Sequence, residues 1–366
     1  MSTTSKHLVI LAAGTGVHVM PGLAVAKVMA ARGWKITWVG TTTGMEAQLV
    51  ERHGIPFHGL DFQGVRGRGL FGAVTGGVKL IGAFMAANKL LSELKPDAVF
   101  STGGYIAVPV GFAASRRKLP LVMMNCDADL LMSTNTLMPF CDALACGFAG
   151  GARTFAKEKG RTTGNPVRDD IVAIAPPQDR MADRTGPLRV FVFGGSLGAQ
   201  VFNDTMPQVM ASIPEDERPI LVHQTGKGRD EPVREAYEKL GVKAEVVPFI
   251  DNMAQRYEDC DVVICRAGAT SVSEICAAGV ASILVPFVAK TTAHQVGNAR
   301  YMVERHAAIM VPQEEFTPER MSELMTGLTR DRLLELAKNA RATSRPQAAE
   351  AVATLIEETV VKKAQG

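Results

Sequence analysis

A chain of 366 residues is too long for one ordinary compact core, and 46% hydrophobic content without low-complexity runs excludes a disordered protein. The formal net charge of +3 is too small to indicate nucleic acid as a partner, although clustered cations would suit an anionic lipid surface. No stretch approaches the roughly 18 uninterrupted apolar residues of a membrane span, and six cysteines without CxxC spacing read as buried free thiols of a reducing cytoplasm, with no metal assigned to them.

The first apolar run, from Leu8, is broken at Gly14 and is too short for a signal peptide, so it reads as a buried strand. After it, "KITWVG", "DAVFSTGG", "LPLVMMN" and "DALACGF" alternate with helical patterns. The second half repeats the alternation with "LRVFVFGG", "PILVHQTG", "AEVVPFI", "DVVICRAG" and "ASILVPF". Strands spaced by helices predict parallel sheets covered on both faces. Residues 173–187, "AIAPPQDRMADRTGP", are rich in proline and charge, carry no apolar period, and read as a linker. Both halves open on a strand, a glycine turn and a helix, "LVILAAGTG" and "VFVFGGSLGA". The expected architecture is α/β: two doubly wound Rossmann-like domains, residues 1–172 and 188–345, facing across a cleft. A final helix over 346–366 could pack back on the N-terminal domain.

A glycine turn between strand and helix lets backbone N–H groups approach an anion, although a tight turn with close packing explains either turn equally well. In "CRAGATSVSEICAAG" a strand ends at the Gly268 turn, and Glu274 follows where a carboxylate could accept from a ribose diol or simply favour the helix dipole. "AHQVGNAR" puts His294, Gln295 and Asn298 at a helix start, where they suit sugar hydroxyls or merely form a polar cap. In "TGNPVR", Arg168 follows a turn, where it could neutralise a diphosphate or sit on the surface. Residues 64–91 carry an apolar arc of Leu70, Phe71, Val74, Val78, Leu80, Ile81, Phe84 and Met85, flanked by Arg66, Arg68, Lys79 and Lys89. That arc suits a monotopic membrane patch or a helix buried between sheet and loops.

Taken together, "GTGVHVMPGLAVA", "GMEAQLV", "GVRGRG", "DAVFSTGGYIAVPVGFAA", "GNPVR", "GGSLGA", "HQTGKG", "FIDNM", "CRAGATSVSE" and "NAR" resemble the MurG family of glycosyltransferases, in order, over residues 8 to 345. The resemblance implies the GT-B fold and inverting transfer of GlcNAc from UDP-GlcNAc to the MurNAc 4-hydroxyl of undecaprenyl-diphospho-MurNAc-pentapeptide, lipid I. It also implies a peripheral position on the cytoplasmic face of the inner membrane, with cell-wall synthesis or division proteins as partners. Carried over by position, the backbone of Ile250 meets uracil, Glu274 ribose, Ser196 and Arg168 the diphosphate, and Ala269 and Gln295 the GlcNAc. Gly14, Thr15, Gly16 and His18 form the acceptor diphosphate loop, with Thr15 and Gly16 also near the donor. His18 is the first candidate for the base, and no cofactor or metal is required.

Two departures from the family pattern stand in the acceptor half. Ala13 and Val17 replace loop glycines, and a β-branched residue at 17 would resist positive φ. "MNCDAD" replaces the usual His-Glu-Gln-Asn, which leaves Asn125 as a further contact and Asp127 as a sugar contact and second candidate base. Two other readings share this sequence: a UDP-GlcNAc 2-epimerase-like enzyme, and a non-catalytic UDP-sugar or lipid-binding scaffold.

Overall fold

The computed structural model describes residues 5–14, 16–42, 44, 46–62, 69–195, 197–288 and 294–365, and for Val17 and residues 69–75 the backbone alone. The chain divides into two compact units, Met1–Pro166 with Gln347–Gly366, and Val167–Pro346.

The first unit is built on strands β1 (His7–Ala12), β2 (Lys35–Thr41), β3 (Phe57–Leu60), β4 (Ala98–Gly103), β5 (Leu121–Asn125), β6 (Ala143–Cys146) and β7 (Gly160–Thr162). Its helices are α1 (Gly16–Ala31), α2 (Glu46–Glu51), α3 (Gly69–Leu94), α4 (Ala107–Arg116), α5 (Met132–Leu137) and α6 (Gly151–Ala156). All strands pair in parallel, in the order β3-β2-β1-β4-β5-β6-β7. The central strands β1, β4 and β5 are buried along their whole length because helices cover both faces, which is why they read as unbroken apolar runs. The order reverses direction between β1 and β4, and the loops leaving those two strands frame the crevice where such sheets take ligands.

The second unit holds β8 (Arg189–Phe193), β9 (Ile220–Gln224), β10 (Glu245–Val247), β11 (Val262–Cys265), β12 (Ala281–Leu284) and β13 (Ile309–Met310), in the order β10-β9-β8-β11-β12-β13. Around them lie α7 (Asp169–Val172), α8 (Pro177–Met181), α9 (Gln200–Ser212), α10 (Asp230–Lys239), α11 (Met253–Asp259), α12 (Ala269–Ala278), α13 (His294–Val303), α14 (Pro318–Thr326) and α15 (Arg330–Thr343). Its core joins Val192, Ile264 and Ile283 of the sheet to Phe202, Met206 and Leu336 of the helices.

The expected linker over 173–187 is instead part of the second unit, and the division falls at Pro166 rather than 172. Proline there starts a helix rather than a spacer: Pro177 opens α8, and Met181 is buried in the core. The charges cap helices. Arg180 donates to the Tyr257 carbonyl at 2.9 Å, and Arg184 to the Cys260 carbonyl at 2.7 Å and the Asp261 carboxylate at 2.8 Å. The final helix, α16 (Ala348–Gln365), folds with the first unit against α1 and β4 to β6. Glu357 bonds Arg32 at 2.6 Å and the Trp34 indole at 3.2 Å, and Lys363 pairs with Asp142 at 2.6 Å.

Candidate active site

In the first unit, β1 runs out through Ala13 and Gly14, whose φ of 104° suits only glycine, and α1 begins at Gly16. His18 therefore sits on the first turn of a helix rather than in the turn itself. Its Nδ1 lies 2.8 Å from the carbonyl oxygen of Thr102, near the end of β4, and Thr102 Oγ1 donates to the His18 carbonyl at 2.7 Å. A carbonyl can only accept, so Nδ1 carries the proton and the neutral ring keeps its lone pair on Nε2. The β4 turn lies close to the loop: at Gly104, with φ of 90°, a Cβ would come within 2.4 Å of the Ala13 oxygen. Val17 is helical, so the expected strain from a β-branched residue at that position does not arise. Thr15 lies outside the described residues.

A residue without an assigned role in the sequence reading stands behind this loop. Glu46, fully buried on α2, accepts from the Thr41 backbone at 2.8 Å, the Thr41 hydroxyl at 2.6 Å and the Gly14 N–H at 3.4 Å. The carboxylate thus ties the end of β2 to the loop and turns one loop N–H inward.

At the end of β5, Asn125 is fully buried and committed to its own turn, donating to the Asp127 and Asp129 carbonyls at 2.7 and 2.9 Å and accepting from Leu131 N at 3.0 Å. Those bonds shape the loop that follows β5. Asp127 is only 3% exposed, whereas His18 is half-buried, so the histidine is the more accessible of the two candidate bases.

In the second unit, Glu274 faces α11. Tyr257 donates to its Oε2 at 3.1 Å, and Arg168, on the segment leading into α7, lies 3.5 Å from its Oε1. Burial raises the Glu274 pKa, against which Arg168 and the Tyr257 hydrogen bond work. Arg168 and Glu274 are thus brought together, and both belong to this unit. Ala269 opens α12 at its N-terminus, and Ile250 lies in the loop before Asn252, the N-cap of α11. The "GGSLG" turn packs on the next glycine loop: at Gly198, with φ of 69°, a Cβ would lie 1.9 Å from the Thr225 oxygen. Ser196 lies outside the described residues.

Gln295, near the start of α13, accepts from Phe287 N at 2.9 Å, and His294 is the first residue of that helix. Asn298 is fully buried and donates to the Ala267 carbonyl at 3.0 Å, so it holds the loop entering α12. Arg266, in the same loop, has its guanidinium 5.1 Å from the rings of both Phe202 and Phe287 and donates to Gln313 at 2.7 Å. Among the described residues no cluster of His, Cys, Asp and Glu is placed to hold a metal, and all six cysteines are buried free thiols.

Along α3 the apolar arc divides. Ala83, Ala87 and Leu91 are buried, and Leu80 and Phe84 pack against the core. Val78, Ile81 and Met85, one turn apart, are 66%, 61% and 65% exposed beside an exposed Lys79. Phe84 therefore belongs to the core, not to the outward stripe. The side chains of Leu70, Phe71 and Val74 lie outside the description. No described helix is long and apolar enough to cross a membrane.

Two parallel sheets, of seven and six strands, each with glycine loops at its switch point, make the GT-B fold, and the matched domains make the chain a glycosyltransferase. Residues 8–146 match the glycosyltransferase family 28 N-terminal domain and residues 189–356 the family 28 C-terminal domain. The chain belongs to this family and, within it, to the MurG group. It is 50% identical to a protein of Methylibium petroleiphilum over 98% of this chain and 99% of that one. It is 48% identical to one of Chromobacterium violaceum over 97% and 98%. Both are named UDP-N-acetylglucosamine–N-acetylmuramyl-(pentapeptide) pyrophosphoryl-undecaprenol N-acetylglucosamine transferase. The crystal structure of Acinetobacter baumannii MurG superposes with a TM-score of 0.83 at 32% identity, covering 96% of this chain and 99% of that one. A UDP-N-acetylglucosamine 2-epimerase from Listeria monocytogenes, at 14% identity and a TM-score of 0.67, shares the fold alone.

Proposed function

We infer that the protein transfers N-acetylglucosamine from UDP-GlcNAc to the MurNAc-pentapeptide carried on pyrophosphoryl-undecaprenol, making lipid II for peptidoglycan. The reading is carried by identities of 50% and 48%, over 98% and 97% of this chain, to two transferases of that name, and the geometry of His18 supports a route for the chemistry. The MurNAc 4-hydroxyl gives its proton to His18 Nε2 as its oxygen bonds to the GlcNAc anomeric carbon. The bond from that carbon to the β-phosphate oxygen breaks on the opposite face, inverting the centre, and UDP leaves with the electron pair. Base assistance of this kind contributes roughly 10²–10⁴ in rate. On the donor side the reading assigns ribose to Glu274, uracil to the Ile250 backbone, GlcNAc to Ala269 and Gln295, and the departing diphosphate charge to Arg168, Ser196 and helix N-termini, without requiring a metal.

The acceptor's undecaprenyl chain stays in the bilayer, so the enzyme must come to it, and the Val78, Ile81 and Met85 stripe with Lys79 is the surface that would rest on anionic lipid. The reading is thus of a peripheral enzyme that works on the cytoplasmic face of the membrane. Incubation with radiolabelled UDP-GlcNAc and a lipid I analogue tests the assignment. Labelled disaccharide-lipid with equimolar UDP is expected; release of ManNAc and UDP, or no turnover, contradicts it.

A further inference from the structure

The ribose reading of Glu274 leaves unexplained why a carboxylate whose side chain is only 13% exposed holds one orientation. Its partner on that side is Tyr257, whose ring is fully buried and set edge-on to Phe191 and Phe193 at 6.4 and 6.1 Å. The Tyr257 backbone is fixed as well, since its carbonyl accepts from Arg180 at 2.9 Å. The hydroxyl is thus delivered at 3.1 Å to Glu274 Oε2 by a ring that has no room to turn aside. Helix α11 also starts just after Ile250, so one short helix links the loop read as the uracil contact to the carboxylate read as the ribose contact.

We propose that Tyr257 is a positioning residue for the nucleotide: its hydroxyl orients the Glu274 carboxylate so that both oxygens address a ribose diol, and so sets preference for a ribonucleoside diphosphate over its 2′-deoxy counterpart. The inference rests on the ribose reading of Glu274. Arg168, Asp170, Cys260 and Cys265 are the other titratable or charged groups acting on this pair among the described residues. Arg168 is 36% exposed, whereas the tyrosine is enclosed, so the tyrosine is the fixed member of the arrangement.

Tyr257→Phe keeps the ring packing and removes only the hydroxyl, leaving Glu274 Oε2 without its donor. Calorimetry with UDP and with 2′-deoxy-UDP on the full-length protein gives the affinity of the binding-competent fraction, whatever that fraction is. The expected result is a fall in the preference for UDP by about fivefold or more, with affinity for 2′-deoxy-UDP changed much less. In a Glu274→Ala background, Tyr257→Phe should change UDP affinity less than about twofold, because the hydroxyl then has nothing to orient. A preference unchanged by Tyr257→Phe but abolished by Glu274→Ala overturns the inference while leaving the ribose reading intact. A preference unchanged by Glu274→Ala overturns both. A purely structural tyrosine would lower the melting temperature and weaken both nucleotides equally, which also contradicts the proposal.

Discussion

His18 and Thr102 hold one another by two hydrogen bonds across the switch point of the first sheet, ring Nδ1 to carbonyl at 2.8 Å and hydroxyl to carbonyl at 2.7 Å. The pair joins the helix after β1 to the end of β4 through two residues 84 positions apart in sequence. Its chemical effect is to fix a tautomer, because the carbonyl claims the Nδ1 proton and leaves Nε2 as the accepting nitrogen of the neutral ring. Glu46 supports the same loop from below through Gly14.

Glu46→Gln should therefore disturb the acceptor side alone. The amide keeps the size of the carboxyl but exchanges one acceptor oxygen for a donor that faces the Thr41 and Gly14 donors, a cost of about 1–3 kcal/mol in stability for a fully buried group. The acceptor KM should rise several-fold while the UDP-GlcNAc KM stays the same. Steady-state kinetics with each substrate varied in turn check this, and equal changes in both would contradict a loop-specific role.

Changing Val78, Ile81 and Met85 together to Ser should release the protein from vesicles containing phosphatidylglycerol, with UDP affinity unchanged. All three are more than half exposed, so folding should survive. Vesicle co-sedimentation measures the effect, and retained binding would mean that the lipid contact lies elsewhere on the first unit.

His223 gives the second unit an acid-sensitive core. It is fully buried, with Nδ1 2.9 Å from the Tyr237 hydroxyl, and burial lowers its pKa to about 4. The unfolded chain takes up the proton near an ordinary pKa of about 6.5, so the stability held by the neutral ring is complete above that pH and is lost as pH falls toward about 4. The loss amounts to about 3 kcal/mol at the acid end. His223→Leu with Tyr237→Phe, which removes both polar partners, should flatten this limb in melting-temperature measurements across the range. An unchanged acid limb would assign it to other groups.

The strands were legible because parallel sheets bury both faces and leave unbroken apolar runs such as Leu8–Ala12. β3 and β7 were not, since "FHGL" and "GRT" are short edge strands with half-exposed or polar residues and no such signal. The helix over 177–181 was hidden because Pro and Arg read as spacer until their capping partners, far along the chain, are in place. In the site, Glu274 and His18 stood out by residue type beside glycine turns. The loop-bracing bonds of Asn125 and Asn298 were not legible, because an amide that braces a loop has the same sequence signature as one that binds a sugar. Tyr257 and Thr102 carried no signal, because each acts only through a partner brought near by folding.

The role of His18 is tested most directly by the pH–rate profile of His18→Asn against that of the unaltered enzyme, with both substrates saturating. Asparagine keeps a hydrogen-bonding group at this position but cannot take a proton in this range. For the unaltered enzyme kcat should rise with pH, as a reaction that needs an unprotonated base requires. In His18→Asn it should be lower by about 10²-fold or more and lose that limb, with UDP-GlcNAc affinity unchanged. A variant that keeps both kcat and its pH dependence while only the acceptor KM rises would contradict the assignment, make His18 a loop-binding residue, and move the search for the base to Asp127.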